Sequence, residues 1–315
     1  MAMTNGPDVV YALRALGLGD LLTAVPALRG LRRHYPDARL VLAAPARYRE
    51  LALLTGAVDE VVPTAWLGDV TPPGRPPALA VNLHGSGPQS VEHLLALAPV
   101  ALLSHRHPMF PDLEGPPWQD DVHEVDRWCI LLDSAGIASD PDDLYLDRPE
   151  GYPVRSGAVV VHPGAAAAAR RWPATRFAEI AAALHADGHE VLVTGTAEER
   201  DLAREVAAAA GLPESAVLAG ELELLQLVAL IADCRLVVCG DTGVGHVATA
   251  TRTPSVVLFG PTPPSRWGPR DDGRHVALWA GYTGDPHGAW PDAGLLAISA
   301  SDVLGASRSM LRPCA

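Results

Sequence analysis

The sequence predicts an α/β protein built from two parallel sheets, each covered by helices on both faces. Three observations carry that prediction. Short β-branched runs alternate with longer stretches of helical period along most of the chain. Those runs are apolar throughout, as strands are when both faces of a parallel sheet are buried. The alternation breaks once, between Ser139 and Gly157, and then restarts. At roughly 100–200 residues per domain, a chain of 315 residues divides into two. Its 29 Gly and 29 Pro supply the tight connections that such units need.

The first half opens with a strand at Val9–Leu13 and a turn at Gly17-Leu18-Gly19. Asp20 to about Tyr35 reads as one helix, with Leu21, Leu22, Val25, Leu28 and Leu31 at spacings of three and four. Strands follow at Arg39–Ala43, Val58–Val62, Ala78–Leu83 and Val100–Leu103. Helices read near Tyr48–Leu54, Gln89–Leu97 and Glu124–Ala135. The segment 139–157, with Pro141, Pro149, Pro153 and several Asp, reads as an acidic, turn-rich linker. Beyond it come strands at Ala158–Val161, Glu190–Thr194, Leu236–Cys239 and Ser255–Phe259. Helices are expected at Ala174–Ala186, Glu198–Ala210 and Leu222–Ala232, and from about Thr242. The domains are therefore residues 1–150 and 151–300, both Rossmann-like, with a C-terminal helix or tail at 301–315. Ligands of such sheets sit outside the carboxyl ends of the strands, so the loops after the strands should face a common cleft.

Composition excludes several function classes. With 24 basic and 37 acidic side chains the net charge is 24 − 37 = −13, so no basic face serves DNA or RNA. Every basic residue is Arg, which removes the Walker-type phosphate loop, Schiff-base chemistry and a lysine base. Cys129, Cys234, Cys239 and Cys314 show no C-x-x-C spacing, so neither a zinc ribbon nor a disulfide framework is expected. The start MAMTNGPDVV lacks the pattern of a signal peptide. No run reaches about 18 consecutive apolar residues, and a cytoplasmic protein is expected.

Four loops after strands carry chemistry. In Gly17-Leu18-Gly19-Asp20 the third glycine of a dinucleotide fingerprint is replaced by Leu22. Asp20 reads either as a plain helix N-cap or as a general base aimed into the cleft. The second loop runs from His162-Pro163-Gly164 through five alanines to Arg170 and Arg171, whose guanidiniums read as solvated or as a phosphate clamp. The third, Thr194-Gly195-Thr196-Ala197-Glu198-Glu199, offers carboxylates for ribose hydroxyls or for the helix dipole. The fourth, Gly240-Asp241-Thr242-Gly243-Val244-Gly245-His246, sets a Gly-rich turn against a helix start, an anion site. It satisfies G-x-G-x-x-A, but no acid follows the next strand, which counts against a dehydrogenase. His84-Gly85-Ser86-Gly87 lacks a nucleophile elbow, His105-Arg106-His107 lacks partner ligands, and Asp140-Pro141-Asp142 lies in the linker.

Taken in order, these loops resemble the heptosyltransferase family, glycosyltransferases of the ADP-heptose:lipopolysaccharide type with a GT-B fold. The resemblance rests on Gly19-Asp20 with Thr23-Ala24-Val25-Pro26-Ala27-Leu28, and on His162-Pro163-Gly164 with Arg170-Arg171-Trp172-Pro173 and Phe177. It is strongest at Asp241-Thr242-Gly243, His246, Leu258-Phe259-Gly260-Pro261-Thr262 and Trp267-Gly268-Pro269. It implies two Rossmann-like domains with parallel sheets facing a central cleft, and a C-terminal helix near Ser301–Leu311 packed back on the first domain. It also implies an inverting, metal-independent transfer from a nucleotide-activated sugar, without a cofactor. Asp20 matches the catalytic Asp. Arg170 stands where the family has a diphosphate-binding Lys. Glu198 or Glu199 matches the ribose ligand, and Leu222 borders the base. Asp241, Thr242, Gly243 and His246 match the donor-sugar and diphosphate loop. Ala165 and Ala166 replace the family's hydroxyl residues. The expected donor is an ADP-sugar, heptose by resemblance. The expected acceptor is a glycan, a lipid-linked glycan or a natural product, with at most peripheral membrane contact. The rivals are a GT-B epimerase or hydrolase and a non-catalytic nucleotide-sugar binder.

Overall fold

The computed structural model describes residues 7–72, 74–270 and 273–312, and the chain divides into two units, 1–146 and 147–315. Each unit is built around one parallel five-stranded sheet.

In the first unit, β1 (Val9–Leu13) is apolar except for Tyr11 at its centre and buried at every position. Such a strand has to lie inside a sheet, and it does. With β2 (Arg39–Ala44), β3 (Glu60–Pro63), β4 (Leu79–Asn82) and β5 (Ala101–Leu103) it forms the order β3-β2-β1-β4-β5. Val10 lies opposite Leu40 on one side and Leu79 on the other. The chain steps outward to β3, then returns to β4 on the far side of β1. At that reversal the loops after β1 and β4 part and open a crevice.

The single helix expected from Asp20 to Tyr35 is two: α1 (Leu18–Thr23) and α2 (Val25–His34). Pro26 causes the break, because it has no N–H to give Leu22 and its ring crowds that carbonyl. The Ala24 N–H turns instead to the Leu21 carbonyl at 3.1 Å. The helix also starts before Asp20, so Gly17 is the N-cap and Asp20 lies in the first turn. The other helices are α3 (Arg49–Leu54), α4 (Pro88–Ala96) and α5 (Glu124–Asp133).

The acidic linker is pinned by ion pairs. Asp143 binds Arg29 at 2.6 Å and Arg33 at 2.5 Å, and Arg148 forks onto Asp233 at 2.7 and 2.9 Å. Asp140 accepts the Asp142 N–H at 3.0 Å, which makes its D-x-D spacing a turn.

The second unit contains β6 (Val159–His162), α6 (Ala174–Ala186), β7 (Val191–Val193), α7 (Arg200–Ala209), α8 (Leu224–Asp233) and β8 (Leu236–Gly240). It continues with α9 (Gly243–Ala250), β9 (Ser255–Phe259), α10 (Pro264–Trp267), β10 (His275–Trp279), α11 (Ala293–Ala297) and α12 (Ala300–Leu311). The strand order is β10-β9-β8-β6-β7, with the reversal between β6 and β8. Neither β10 nor α11 is read from the sequence. The half-exposed pattern of β10 lacks the apolar run that marks the inner strands.

Within its own unit, α12 packs on α6, β8 and β9. Its buried Val303 and Leu311 join the core formed by Phe177, Ile180, Leu236 and Leu258. Arg308 seals the edge with two bonds to Asp187, at 2.8 and 3.0 Å. An apolar stripe follows the face that offers it the most burial, and that face belongs to the second sheet.

Cys129, Cys234 and Cys239 are buried free thiols, and Cys314 lies outside the described residues. Among the described residues no helix is long and apolar enough to cross a membrane.

Candidate functional site

Each domain gathers its candidates at the reversal of its sheet. In the first domain these are the ends of β1 and β4. The Asp20 carboxylate is held at both oxygens. Oδ2 accepts the Gly17 N–H at 3.0 Å, and Oδ1 lies 3.3 Å from Arg14 Nη2. The side chain is still 27% exposed, enough for a small hydroxyl to reach it. A carboxylate in the first turn is also favoured by the helix dipole.

Around it lies a layer of buried polar groups. Asn82, at the end of β4, donates to Ser90 and Ser104, both at 3.0 Å, and accepts the His84 N–H at 3.1 Å. His84 Nδ1 accepts the Ala15 N–H at 3.2 Å, which leaves the ring proton on Nε2. Burial, and then the Arg14 charge, push the His84 pKa down to about 4. The ring is therefore neutral at physiological pH. His105 is buried edge-on against Trp118 and Trp128, so the His105-Arg106-His107 run builds no metal site.

In the second domain the loops after β6 and β8 meet. His162 is buried, with Nδ1 3.1 Å from the Thr194 hydroxyl. Burial lowers its pKa, and Glu199 pulls partly the other way. The five alanines end in a single 3₁₀ turn at Ala168–Arg170. Arg170 Nη1 reaches the Asp241 carbonyl at 3.4 Å and its carboxylate at 3.9 Å. Arg170 Nε is buried without a hydrogen-bond partner among the described residues. Arg171 is used locally, on the Ala165 carbonyl at 2.8 Å.

Thr242 is the N-cap of α9, yet its side chain caps nothing. Thr242 thus leaves the first-turn N–H groups of α9 without an N-cap bond, which suits an anion. Gly245 lets the helix sit close on the sheet, since a Cβ there would meet Cys239 Sγ at 3.4 Å. A shallow open pocket lies beside this turn, lined by Asp241, Thr242, His246 and Trp267 among others. The His246 ring stands edge-on to Trp267 with centroids 5.9 Å apart.

The two glutamates of the β7 loop differ. Glu198 is exposed, and hydrogen bonds from its own backbone and from Thr196 lower its pKa. Glu199 folds inward, accepts the Thr196 N–H at 2.8 Å and rests against Gly164, where any Cβ would collide with its carboxylate. Leu222 is half-buried and precedes α8 by two residues. Its turn is tied to the β7 loop by the Gly220 N–H on the Gly195 carbonyl at 3.0 Å.

The sequence reading misses Arg14 and Glu124. Arg14 had a visible signal, a lone charge at the end of an apolar strand. Glu124 had none, because its partner is 110 residues away. Among the described residues no cluster of three or more His, Cys, Asp or Glu is arranged to hold a metal ion.

Comparison with known proteins agrees with this layout. The family model described as glycosyltransferase family 9 (heptosyltransferase) matches residues 125–284. Lipopolysaccharide heptosyltransferase 2 of Salmonella typhimurium is 38% identical over 303 residues, covering 84% of this chain and 86% of that protein. Two solved structures share the fold. One is the ADP-heptose lps heptosyltransferase II of E. coli, with TM-score 0.76 and 23% identity over 96% of this chain and 98% of that one. The other is the E. coli heptosyltransferase WaaC with ADP, with TM-score 0.72 and 17% identity over 96% and 99%. The two parallel-sheet domains are those of GT-B heptosyltransferases. With the family model spanning half the chain and a relative this similar over most of it, the chain belongs to glycosyltransferase family 9, the heptosyltransferases, and is a glycosyltransferase.

Proposed function

We propose that the protein moves a heptose from an ADP-sugar to an acceptor hydroxyl, with inversion at the anomeric carbon and without a metal ion. The observation that carries this reading is the unfinished anion site of the second domain. There the first turn of α9 has no side-chain cap, and Arg170 keeps a buried nitrogen unpartnered beside Asp241. A diphosphate completes both. The WaaC structure with ADP supports a nucleotide diphosphate as the ligand.

The proposed roles follow from placement. Arg170 and the N–H groups after Thr242, with Gly243 leaving the backbone open, neutralise the charge that grows on the departing diphosphate. Donors set in advance do this without rearrangement. Asp241 and His246 border the sugar and the phosphate next to it. Glu199, the inward of the two glutamates, takes the ribose hydroxyls, and Leu222 packs on the base. Asp20, from the first domain, removes the proton of the acceptor hydroxyl. That oxygen then bonds to the anomeric carbon as the bond to the diphosphate oxygen breaks. ADP leaves from the opposite face, so one displacement inverts the centre.

The acceptor is a hydroxyl of a glycan, a lipid-linked glycan or a natural product, and the lipopolysaccharide named for the Salmonella relative is the first to try. The test is calorimetric binding of ADP, AMP and ADP-heptose, followed by NMR of the product's anomeric configuration with EDTA present. Tight ADP binding and an inverted product support the reading. A retained configuration, or turnover abolished by EDTA, overturns it.

A further inference from the structure

Arg14 has no part in the reaction above, and its setting is costly. Its side chain is fully buried. A buried guanidinium is tolerated only when its donors are used and its charge is paired. Nε donates to the Asp20 carbonyl at 2.8 Å, and Nη1 donates to the Leu83 carbonyl. Nη2 reaches Thr23 Oγ1 at 3.2 Å, Glu124 Oε1 at 2.9 Å and Asp20 Oδ1 at 3.3 Å. The Trp128 ring closes one face, 4.7 Å from the guanidinium carbon. Glu124 is held in turn by Arg127 Nε at 2.9 Å, and Arg127 spends its other donors on the carbonyls of Gln119 and Val122. Burial pushes the Glu124 carboxyl up, but the two arginines hold it below its ordinary value.

A mere staple between β1, β4 and α1 would need only the carbonyl contacts. Arg14 also touches the carboxylate of Asp20, and α5 supplies a dedicated anion to the same Nη2. We propose that Arg14, aimed by Glu124, is a positioning residue that sets the orientation of the Asp20 carboxylate toward the acceptor hydroxyl. This rests on the reading of Asp20 as the general base. Removing the Glu124 carboxylate takes from Arg14 Nη2 the partner that aims it at Asp20 Oδ1.

Three variants test this with a donor–acceptor pair that the wild type turns over. R14K keeps the charge but loses the fork. It should lower kcat by roughly 10- to 100-fold, the scale of a misplaced catalytic group, with the donor KM unchanged. Placed on D20N, R14K should cost nothing further, since the group it positions is gone. E124Q should lower kcat in the same direction, with the donor KM unchanged and no further loss on D20N. A wild-type kcat in folded R14K, an equal loss in the D20N background, or a wild-type kcat in E124Q would each reduce Arg14 to a staple and overturn the proposal. If R14K does not fold, E124Q with and without D20N decides alone. D20N at the wild-type rate overturns the base reading itself, whereas slow D20N with unimpaired R14K overturns only the role of Arg14.

Discussion

Both sheets are parallel and reverse beside their first strand, but the two reversal points are finished differently. In the first domain the polar groups are satisfied from within. Both Asp20 oxygens have donors, the Arg14 guanidinium is spread over five acceptors, and Asn82 bridges two hydroxyls. In the second domain the corresponding place is left open. Arg170 Nε has no partner among the described residues, and the first turn of α9 has no side-chain cap. A finished site suits a group that must keep one orientation through each turnover. An unfinished one suits a charged ligand that arrives and leaves, because the ligand supplies the missing hydrogen bonds.

The largest expected effect is at the finished site. Asp20→Asn keeps the shape of the side chain and an oxygen for the Gly17 N–H, but removes the basic charge. Turnover should fall by roughly 10²–10⁴-fold, the usual contribution of a general base, with ADP affinity and melting temperature nearly unchanged. A large loss of ADP affinity in this variant would mean that the two sites are not divided as proposed. Asp20→Ala should in addition lose about 1 kcal/mol of stability in urea titrations, from the hydrogen bond to Gly17.

Next comes the open site. Arg170→Ala should weaken ADP by roughly 10- to 100-fold by calorimetry, as the loss of a charge-assisted contact does. AMP should weaken much less, since it lacks the terminal phosphate. Equal losses for the two nucleotides would move Arg170 away from that phosphate. A smaller effect separates the glutamates. Glu199→Gln should weaken ADP by about 10-fold, while the exposed Glu198→Gln stays near wild type. The reverse order would return the ribose to Glu198.

A separate effect concerns the pH dependence of stability. His84 has its folded pKa depressed to about 4 by burial and then by Arg14. Its ordinary value is near 6.5, so between the two the unfolded chain takes up a proton that the folded chain refuses. Stability should therefore be lost as pH falls from about 6.5 towards 4. Denaturant midpoints measured at pH 7, 5.5 and 4.5 should converge in His84→Gln relative to wild type. An unchanged slope would show that His84 is not held neutral by the finished layer.

Much of this comparison was legible in the residue order, and the legible part was local. The helix Ala174–Ala186 and the strand Ser255–Phe259 have the bounds their periodicity predicts, each set off by Pro173 or Pro254. The Asp20, Arg170 and Asp241–His246 loops fall after strands, as their Gly-rich spacing implies. The helix break at Ala24 was written in Pro26 but masked by the leucine period on both sides. The choice between Glu198 and Glu199 was not legible, because adjacent residues in a helical turn point in directions set by what packs beneath them. Here Gly164 and Gly195 make room for Glu199 alone.

Alternation of apolar strands with amphipathic helices, a cap or a proline at each end, and a Gly-rich turn at the start of α9 are interactions among near neighbours. They can be read one window at a time, and they are enough to define the class of fold and where its loops lie. Which sheet α12 covers, which strand lies beside β1, and which carboxylate neutralises Arg14 are settled by groups 69 to 110 or more residues apart. Burial free energy depends on the area removed from water and a buried charge on its partners, and neither leaves a mark on the residues that flank it in the chain.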